Sequence, residues 1–475
     1  MGKLIDKKTC FGLIVGTRGF FNPEHAKKGR HELLALLDKL NFDYIIPGEN
    51  ETPNGAIETL KDAKICADLF NKNNKKIDGI IVILPNFGDE LGVVNTLKLS
   101  GLKVPVLVQA CNDDINMVDI RGRRDAFCGK ISVCNNLYQY KIPFTDTTLH
   151  TCDIKSDTFK KDLNDFSSIC RIVKGIKEMR IGAIGTRPAA FQTVRYSEKI
   201  LQANGITVVP VDLSEIIGNT EKLDNNSKEV INKLERIKNY GKIPDTIKDE
   251  NIIKQAKLSV IIDNWMAENE LDASAVQCWE SIEYNYGCAT CLSMSLMGED
   301  RMPSACEVDI TGAISMYVLL LASKNIPGFL DWNNNYKNEI NKCVNTHCSN
   351  FPKSFMGNDI EISNLDILGA TLGKEKCFGA IKGHVAEGPM TYFRISTDDT
   401  LGKIKGYVGE GDFTNDPFGM DGGIAVCKVD NLRDILAHIC QEGFEHHIAM
   451  ARSHCSKIIK EAVTKYLNWD LNDFT

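Results

Sequence analysis

The stretch "TCFGLIVGTRGF" (residues 9–20) indicates the fold class, because it is an apolar run that ends in a glycine-containing loop. A similar stretch, "EMRIGAIGTRP" (178–188), recurs later in the chain. Around both, apolar runs alternate with segments of helical spacing such as "HAKKGRHELLALLDKLNF". This alternation is typical of βαβ units and a parallel sheet. We therefore predict two doubly wound, Rossmann-like α/β domains, with ligands at the carboxyl edges of their sheets.

The sequence pattern changes near residue 355. The segment "CFGAIKGHVAEGPMTYFRISTDDTLGKIKGYVGEGDF" is rich in glycine and has short alternating runs, which indicates an antiparallel β-domain. The later segment "HHIAMARSHCSKIIKEAVTKYLNWDL" has helical spacing. We expect three domains: an N-terminal α/β domain (1–175), a second α/β domain (176–354), and a C-terminal β-rich domain with a terminal helix (355–475).

Composition excludes several classes of protein. The chain has 475 residues, of which 43% are hydrophobic and 25% charged, the profile of a globular protein. Its net charge of −7 argues against nucleic acid as a partner. The longest apolar run, "ISMYVLLLA", is about half a membrane span, and the N-terminal sequence lacks a signal-peptide pattern. We expect a cytoplasmic protein without membrane contact, whose 17 cysteines are reduced thiols.

The two recurring loops, "GTRG" (16–19) and "GTRP" (185–188), are weak phosphate signals, because neither is a GxGxxG motif or a P-loop. Two interpretations of Arg18 and Arg187 remain open. They bind anions or hydroxyls at the mouth of a sheet, or they are surface charges.

Candidate metal ligands cluster in the second half of the chain. Glu307 precedes a helix-like segment (309–323), and Asp331 follows 24 residues later. We predict both carboxylates on loops that flank this helix and the strand after it. Three histidines follow: His347, His446 and His447. Carboxylates combined with imidazoles suit Mn²⁺, Co²⁺ or Fe²⁺. Alternatively, Asp331 is a turn residue or helix cap, His347 is a polar loop residue, and the His446–His447 pair is a helix cap or a surface feature.

The chain resembles the L-fucose isomerase-like branch of the L-fucose and L-arabinose isomerase superfamily over nearly its whole length. Six segments carry the resemblance: "DAFCGKISVCNNLYQYKIPFT" (125–145), "GTRPAAFQTVRYSEKILQANGITVVPVDLSEI" (185–216), "QCWE" (277–280), "ACEVDITGA" (305–313), "FLDW" (329–332) and "GHVAEGPMTYFRI" (383–395).

The resemblance implies a site for Mn²⁺ or another divalent cation such as Co²⁺, Fe²⁺ or Mg²⁺. Glu307 resembles the first carboxylate ligand of the family and Asp331 the second. A C-terminal histidine is the imidazole ligand, with His447 favoured over His446. His347 resembles an additional ligand of the arabinose isomerase branch and is either a ligand or a substrate neighbour. No metal role is implied for Asp309, which we expect to be structural.

The implied activity is aldose–ketose isomerisation through an ene-diol. Glu307 and Asp331 would be the catalytic acid and base, in an order that the sequence leaves open. Five residues would hold the sugar: Arg18, Phe87, Gln277, Trp279 and His384. For Phe87 and Trp279, core packing is the alternative. The resemblance also implies a homo-oligomer, trimer or hexamer, in which Arg18 and an aromatic residue reach a neighbouring subunit's site.

Four functions remain, of which a metallohydrolase, which would release a product of different mass, is the weakest. The first is an isomerase of a free sugar of L-fucose, D-arabinose or L-arabinose type. The second is a sulfoquinovose isomerase, which needs cations for the sulfonate; Arg18, Arg121, Arg123 and Arg124 are available. The third is a non-catalytic sugar-binding protein, in which no stoichiometric metal is expected.

Overall fold

The computed structural model describes residues 4–475. These residues form two compact units. Unit 1 contains the described residues up to Gly175 together with Glu461–Asn468, and unit 2 contains Ile176–Lys460 and Trp469–Thr475. The division into three domains, with boundaries at 175/176 and 354/355, stays a prediction.

Unit 1 is built on a five-stranded sheet in which all neighbouring strands are parallel, in the order β2-β1-β3-β4-β5. Every residue of the three central strands is buried, as expected for a sheet covered on both faces. The elements are β1 Cys10–Val15, α1 Pro23–Lys39, β2 Asp43–Ile45, α2 Leu60–Lys72, β3 Gly79–Leu84, α3 Glu90–Ser100, β4 Val106–Ala110, α4 Ala126–Gln139, β5 Thr145–Asp146 and α5 Asp157–Lys177.

Unit 2 begins with a four-stranded parallel sheet in the order β7-β6-β8-β9. The chain proceeds to one side of β6 and then to the other, so the strand order reverses there. Ligands of open α/β sheets bind at such switch points. The elements are β6 Arg180–Ile184, α6 Glu198–Ala203, β7 Thr207–Val211, α7 Leu213–Lys222, α8 Lys228–Tyr240, α9 Asp249–Glu268, β8 Ala273–Val276, α10 Ser281–Asn285, α11 Cys291–Glu299, β9 Ser304–Cys306 and α12 Ile310–Ser323.

The rest of unit 2 forms a nine-stranded sheet in the order β12-β13-β16-β11-β10-β17-β14-β15-β18. Because β15 also pairs with β16, six of these strands close into a ring. The elements are β10 Gly328–Asn335, β11 Lys342–His347, α13 Lys353–Met356, β12 Glu361–Asn364, α14 Asp366–Leu372, β13 Phe378–His384, β14 Gly388–Asp398, β15 Lys403–Thr414, β16 Gly423–Lys428, α15 Leu432–Gln441, β17 His447–Ala451, α16 Ser456–Glu461 and β18 Asp470–Phe474.

The predicted fold class is confirmed: two parallel-sheet α/β layers precede a largely antiparallel sheet. That last sheet is mixed, because β13 pairs with β16, and β15 with β18, in parallel. Two local expectations were wrong. Asp331 lies within β10 instead of on a loop after it. His447 opens strand β17 and not a helix, because all five residues of "HIAMA" are buried between β10 and β14.

Helix α12 connects the parallel sheet to the ring of strands. Its residues Ile310–Ala322 are all buried, and it packs against β14 and β17. The helix is too short to cross a bilayer. Within residues 4–475, no other helix combines the length and the apolar character that a membrane span requires. The N-terminus of α12 is thereby held beside the start of β17.

Candidate metal centre and active site

The turn between β9 and α12 presents Glu307. Glu307 and Val308 both adopt left-handed backbone angles, with φ of 61° and 56°. This conformation is costly for a β-branched residue such as Val308 and persists only where the surrounding structure enforces it. Asp309 then caps the helix by accepting a hydrogen bond from the Gly312 amide at 2.8 Å. The strained turn places the Glu307 carboxylate, which is 4% exposed, at the end of the parallel sheet.

The rim of the strand ring supplies the other candidate ligands. Asp331 in β10 lies directly opposite His447, the first residue of β17, in an antiparallel pair. On its other side, Asp331 pairs with Thr346 of β11, next to His347. Side chains on adjacent strands at the same level are neighbours. Three residues that are distant in sequence are therefore brought to one rim.

The donor atoms of these residues converge. His447 Nε2 lies 3.2 Å from Glu307 Oε2 and 3.6 Å from Asp331 Oδ1. His347 Nε2 lies 3.9 Å from the same Asp331 oxygen. Glu307, His347 and His447 each offer a ligand atom, and these atoms lie within 4.8 Å of one another. The same holds for Asp331, His446 and His447.

Three of these buried atoms, Glu307 Oε2, Asp331 Oδ1 and His347 Nε2, have no hydrogen-bond partner. Buried polar atoms are normally satisfied, and each exception requires an explanation. Here the exceptions are acceptors and an imidazole nitrogen that point at one another. Two carboxylates with two imidazoles form a donor set that Mn²⁺, Fe²⁺ or Co²⁺ accepts. The residues therefore fit a divalent cation.

The electrostatics of the cluster favour positive charge. Burial opposes protonation of His447, but its contacts with Asp309 and Glu307 outweigh burial and raise its pKa to about 10. Burial likewise opposes protonation of His347, while the neighbouring Cys348 and Asp331 raise its pKa to about 9. Burial raises the pKa of Asp331. A divalent cation that binds here must displace these protons, so its affinity falls as the pH falls.

His446 differs from His447. Its side chain is exposed, whereas His447 is 1% exposed. Partial desolvation and the positive charges of His447 and His347 lower the pKa of His446 to about 4. Its ring lies 4.3 Å from that of His447 and 6.4 Å from that of Phe191. His446 therefore faces Phe191, beside the ligand atoms of Glu307, Asp331, His347 and His447, which we call the donor cluster.

Two predicted sugar contacts lie at the carboxyl end of β8. Gln277 accepts a hydrogen bond from the Thr186 amide at 2.9 Å and donates to Ser281 Oγ at 3.2 Å. Trp279 packs on Phe191 with ring centroids 5.2 Å apart. Phe191 also contacts His446, so the Trp279 and Phe191 rings form an aromatic wall that leads to the donor cluster.

The other predicted contacts lie elsewhere. His384 ends β13 with an exposed side chain. Gly383, its neighbour, pairs with Gly423, which also pairs with His347, so one strand separates the two histidines. Arg18 and Phe87 belong to unit 1, where the guanidinium lies 4.3 Å from the centre of the Phe87 ring. Their role stays a prediction.

The sequence did not single out two residues beside the site, Phe191 and Arg394. Phe191 lies in the segment between β6 and α6, which begins at Glu198, and no local pattern marks it as a site residue. Arg394 lies fully buried behind the donor cluster and binds Asp309 and Glu445. A lone arginine inside the apolar strand segment "TYFRIS" was the signal for such a buried ion pair.

The chain is similar in sequence to known proteins. Residues 12–177 match the family described as fucose/sulfoquinovose isomerase, N-terminal domain, and residues 345–475 match L-fucose isomerase, C-terminal domain. The chain is 29% identical over 381 residues to the sulfoquinovose isomerase of Priestia aryabhattai, which covers 79% of this chain and 81% of the relative. The enzyme of that name from Priestia megaterium matches equally. The sulfoquinovose isomerase of Alkalicoccus urumqiensis is 25% identical over 297 residues, or 61% of this chain and 63% of the relative.

The two family matches cover the sheet of unit 1 and most of the strand ring of unit 2. The donor cluster lies in unit 2, partly between the two matched ranges and partly within the second. The chain belongs to the L-fucose isomerase-like family and is an aldose–ketose isomerase.

Proposed function

We propose that this isomerase is metal-dependent and acts on a sulfonated aldose, with sulfoquinovose as the first substrate to test. The observation that carries the chemistry is that Glu307, His347 and His447 converge, as do Asp331, His446 and His447, and that three atoms of these residues lack hydrogen-bond partners. The names of the relatives support the substrate. A neutral sugar such as L-fucose, D-arabinose or L-arabinose is the second candidate, supported by the description of the C-terminal family match.

Glu307, Asp331, His347 and His447 would hold the cation, for which Mn²⁺ is the first choice and Co²⁺, Fe²⁺ and Mg²⁺ the alternatives. We assign the ligand role to His447 because its Nε2 faces both carboxylates, whereas His446 is exposed and faces Phe191. When bound, the cation would act as a Lewis acid and template for two neighbouring sugar oxygens.

The carboxylates would carry the proton. Isomerisation removes a proton from C2 of the aldose and delivers a proton to C1, while a hydroxyl proton passes from O2 to O1. One carboxylate takes the C2 proton as general base and returns it to C1 from the same face. Burial raises the pKa of Asp331, which makes that carboxyl better able to hold a proton during transfer. Glu307, on its strained turn, is the second member of the pair.

Side chains of unit 2 would orient the sugar. Gln277, Trp279 and Phe191 line the approach to His446. Arg187 follows Thr186, whose amide binds Gln277, and its guanidinium donates only weakly, to the carbonyls of Pro188 and Ala189 at 3.2 and 3.4 Å. Its charge is not paired with a carboxylate in these contacts, so we propose Arg187 as the cation that receives the sulfonate.

A homo-oligomer is also proposed. Unit 1 exposes a cluster of large apolar side chains on the loop after β4: Ile115, Val118 and Ile120 are 85%, 71% and 69% exposed. Near the end of β1, Phe20 is 72% exposed. Such side chains mark association surfaces when they are contiguous. In this proposal, Arg18 and Phe87 would serve the site of a neighbouring subunit, and the assembly would be a trimer or hexamer.

The test is a panel of sugars. Chelator-treated protein, with and without added Mn²⁺, is incubated with sulfoquinovose, L-fucose, D-arabinose and L-arabinose, and ketose formation is measured. We expect Mn²⁺-dependent conversion of sulfoquinovose at a kcat/KM above that of the neutral sugars. Preferential conversion of a neutral sugar would establish the second candidate. Equal conversion by chelator-treated and Mn²⁺-loaded protein would show that the reaction does not depend on the metal.

A further inference from the structure

Behind the donor cluster lies a third carboxylate, that of Asp309, which has been assigned no part in metal binding or catalysis. Asp309 Oδ2 lies 2.8 Å from Nδ1 of His447, on the side of the imidazole opposite to Nε2. Asp309 is fully buried and His447 is 1% exposed. An ionised carboxylate can only accept, so Nδ1 carries the proton and donates to Asp309. Once Nε2 has given up its own proton, its lone pair is directed at Glu307 and Asp331.

The Asp309 carboxylate cannot rotate freely, because four other bonds fix it. Arg394 donates to Oδ2 at 2.7 Å and to Oδ1 at 3.0 Å. The Gly312 amide donates to Oδ1 at 2.8 Å, and the Thr311 hydroxyl at 3.2 Å. Each oxygen therefore has its own set of donors, and Oδ2 is the one left to face His447.

Arg394 is itself held from behind. It is fully buried, and Glu445 accepts from its Nε at 3.2 Å and lies 3.1 Å from its Nη2. Ser396 donates to Glu445 at 2.8 Å. One guanidinium thus stands between two buried carboxylates, which leaves one negative charge without a compensating arginine. Buried charges require partners. On the side of Asp309 that faces away from Arg394, the partner is His447, together with a cation when one is bound.

We infer that Asp309 is a positioning residue that fixes the ring orientation and tautomer of His447 for cation binding, with Arg394 as the anchor of that carboxylate. This inference rests on the proposed function, since it assigns a task within the same metal site. Capping of α12 alone does not explain Asp309, because asparagine or serine caps a helix equally well. A carboxylate that orients a ligating histidine typically contributes 10–100-fold to metal affinity.

Asp309→Asn tests the inference with Glu445→Gln as the matched control. Both substitutions remove one negative charge from the Arg394 network with little change in shape, but only Asp309 contacts His447. Mn²⁺ binding to the chelator-treated full chain is measured by calorimetry, with thermal stability in parallel. We expect Asp309→Asn to weaken Mn²⁺ binding about 10–100-fold and Glu445→Gln to weaken it less than about tenfold. Equal losses in the two variants would overturn the positioning role.

A measurement on the wild-type chain covers the case in which Asp309→Asn does not fold. Protein labelled with ¹⁵N-histidine is titrated with Zn²⁺ as a diamagnetic cation. We expect the Nε2 resonance of His447 to move while the Nδ1 proton persists; movement of Nδ1 with loss of its proton would overturn the inference. The proposed function fails separately, if the wild-type chain binds neither Mn²⁺ nor Zn²⁺.

Discussion

Unit 1 and unit 2 both gather charged side chains at the end of their strands, but they satisfy those charges differently. In unit 1, Arg18 is ion-paired through Nη2 with Glu90, the first residue of α3. Its Nε lacks a hydrogen-bond partner among the described residues but lies 3.6 Å from Asp89, so the charge is still compensated. At the ring of unit 2, atoms of Glu307, Asp331 and His347 lack hydrogen-bond partners. The same tetrapeptide pattern, GTR followed by glycine or proline, precedes both regions. We infer that atoms which lack hydrogen-bond partners and also converge, and not charge alone, mark the candidate metal site.

The largest effect is expected for Glu307→Gln. Because Glu307 is assigned to both cation binding and proton transfer, we expect kcat/KM to fall by about 10³-fold or more. Mn²⁺ content per chain should fall as well, because one of the two carboxylate ligands is lost. Exposed Glu339, replaced by glutamine, is the control. Retained activity with unchanged Mn²⁺ content would show that Glu307 neither binds the cation nor transfers the proton.

Among residues 4–475, Glu283 is a buried carboxyl group that lacks hydrogen-bond partners but belongs to no group of converging ligand atoms, so its effect is expected on stability. It is fully buried in α10, both of its oxygens lack hydrogen-bond partners, and burial raises its pKa from 4.5 to about 8. Between those values the folded chain holds a proton that the unfolded chain releases, so Glu283 lowers stability progressively as the pH rises from 4.5 to 8.

Glu283→Gln should therefore stabilise the protein relative to wild type by up to about 1.4 kcal/mol for each pH unit across that window. Denaturant unfolding at several pH values between 5 and 9 measures the difference. A stability difference that does not change with pH would show that Glu283 is ionised, and partnered, in the folded chain.

Replacing Arg187 and Arg18 in turn with methionine compares their contributions to KM for sulfonated and neutral sugars. A charged hydrogen bond contributes about 1.5–3 kcal/mol, so Arg187→Met should raise KM for sulfoquinovose about 10–100-fold. KM for a neutral aldose should change little, because the lost contact is to the sulfonate. Steady-state kinetics with both substrates give the answer. Equal changes for both sugars would reassign Arg187 to a general structural role.

Arg18→Met should have the smallest effect. Its charge is already neutralised by Glu90 and Asp89, so KM should rise less than about tenfold for sulfonated and neutral sugars alike. Size-exclusion chromatography at several protein concentrations accompanies the kinetics. A KM that does not change at all would leave the proposed contribution to a neighbouring subunit without support.

The parallel sheets were predictable because their strands are continuous apolar runs such as "CFGLIV", which are recognisable locally. The ring of strands was not, because closure depends on pairing of β15 with β16 and on the order β11-β10-β17, which no local pattern encodes. For the same reason, "HIAMA" was predicted as helix, although tertiary burial makes it a strand.

The candidate site divides in the same way. Glu307, Asp331, His347 and His447 were named from the sequence, and the structure places their donor atoms together. The contact of Asp309 with His447 joins residues that are 138 positions apart. That pairing arises from the packing of α12 on β17 and therefore required the folded structure.

The most direct test is the Mn²⁺ dependence of sulfoquinovose isomerisation by the purified full chain. Protein is stripped with a chelator, its metal content is verified, and ketose formation is followed before and after one equivalent of Mn²⁺ per chain is added. We predict that stripping abolishes conversion and that Mn²⁺ restores it, with Glu307→Gln inactive under both conditions. Full conversion by the stripped protein, or restored activity in Glu307→Gln, would contradict the role of the converging donors.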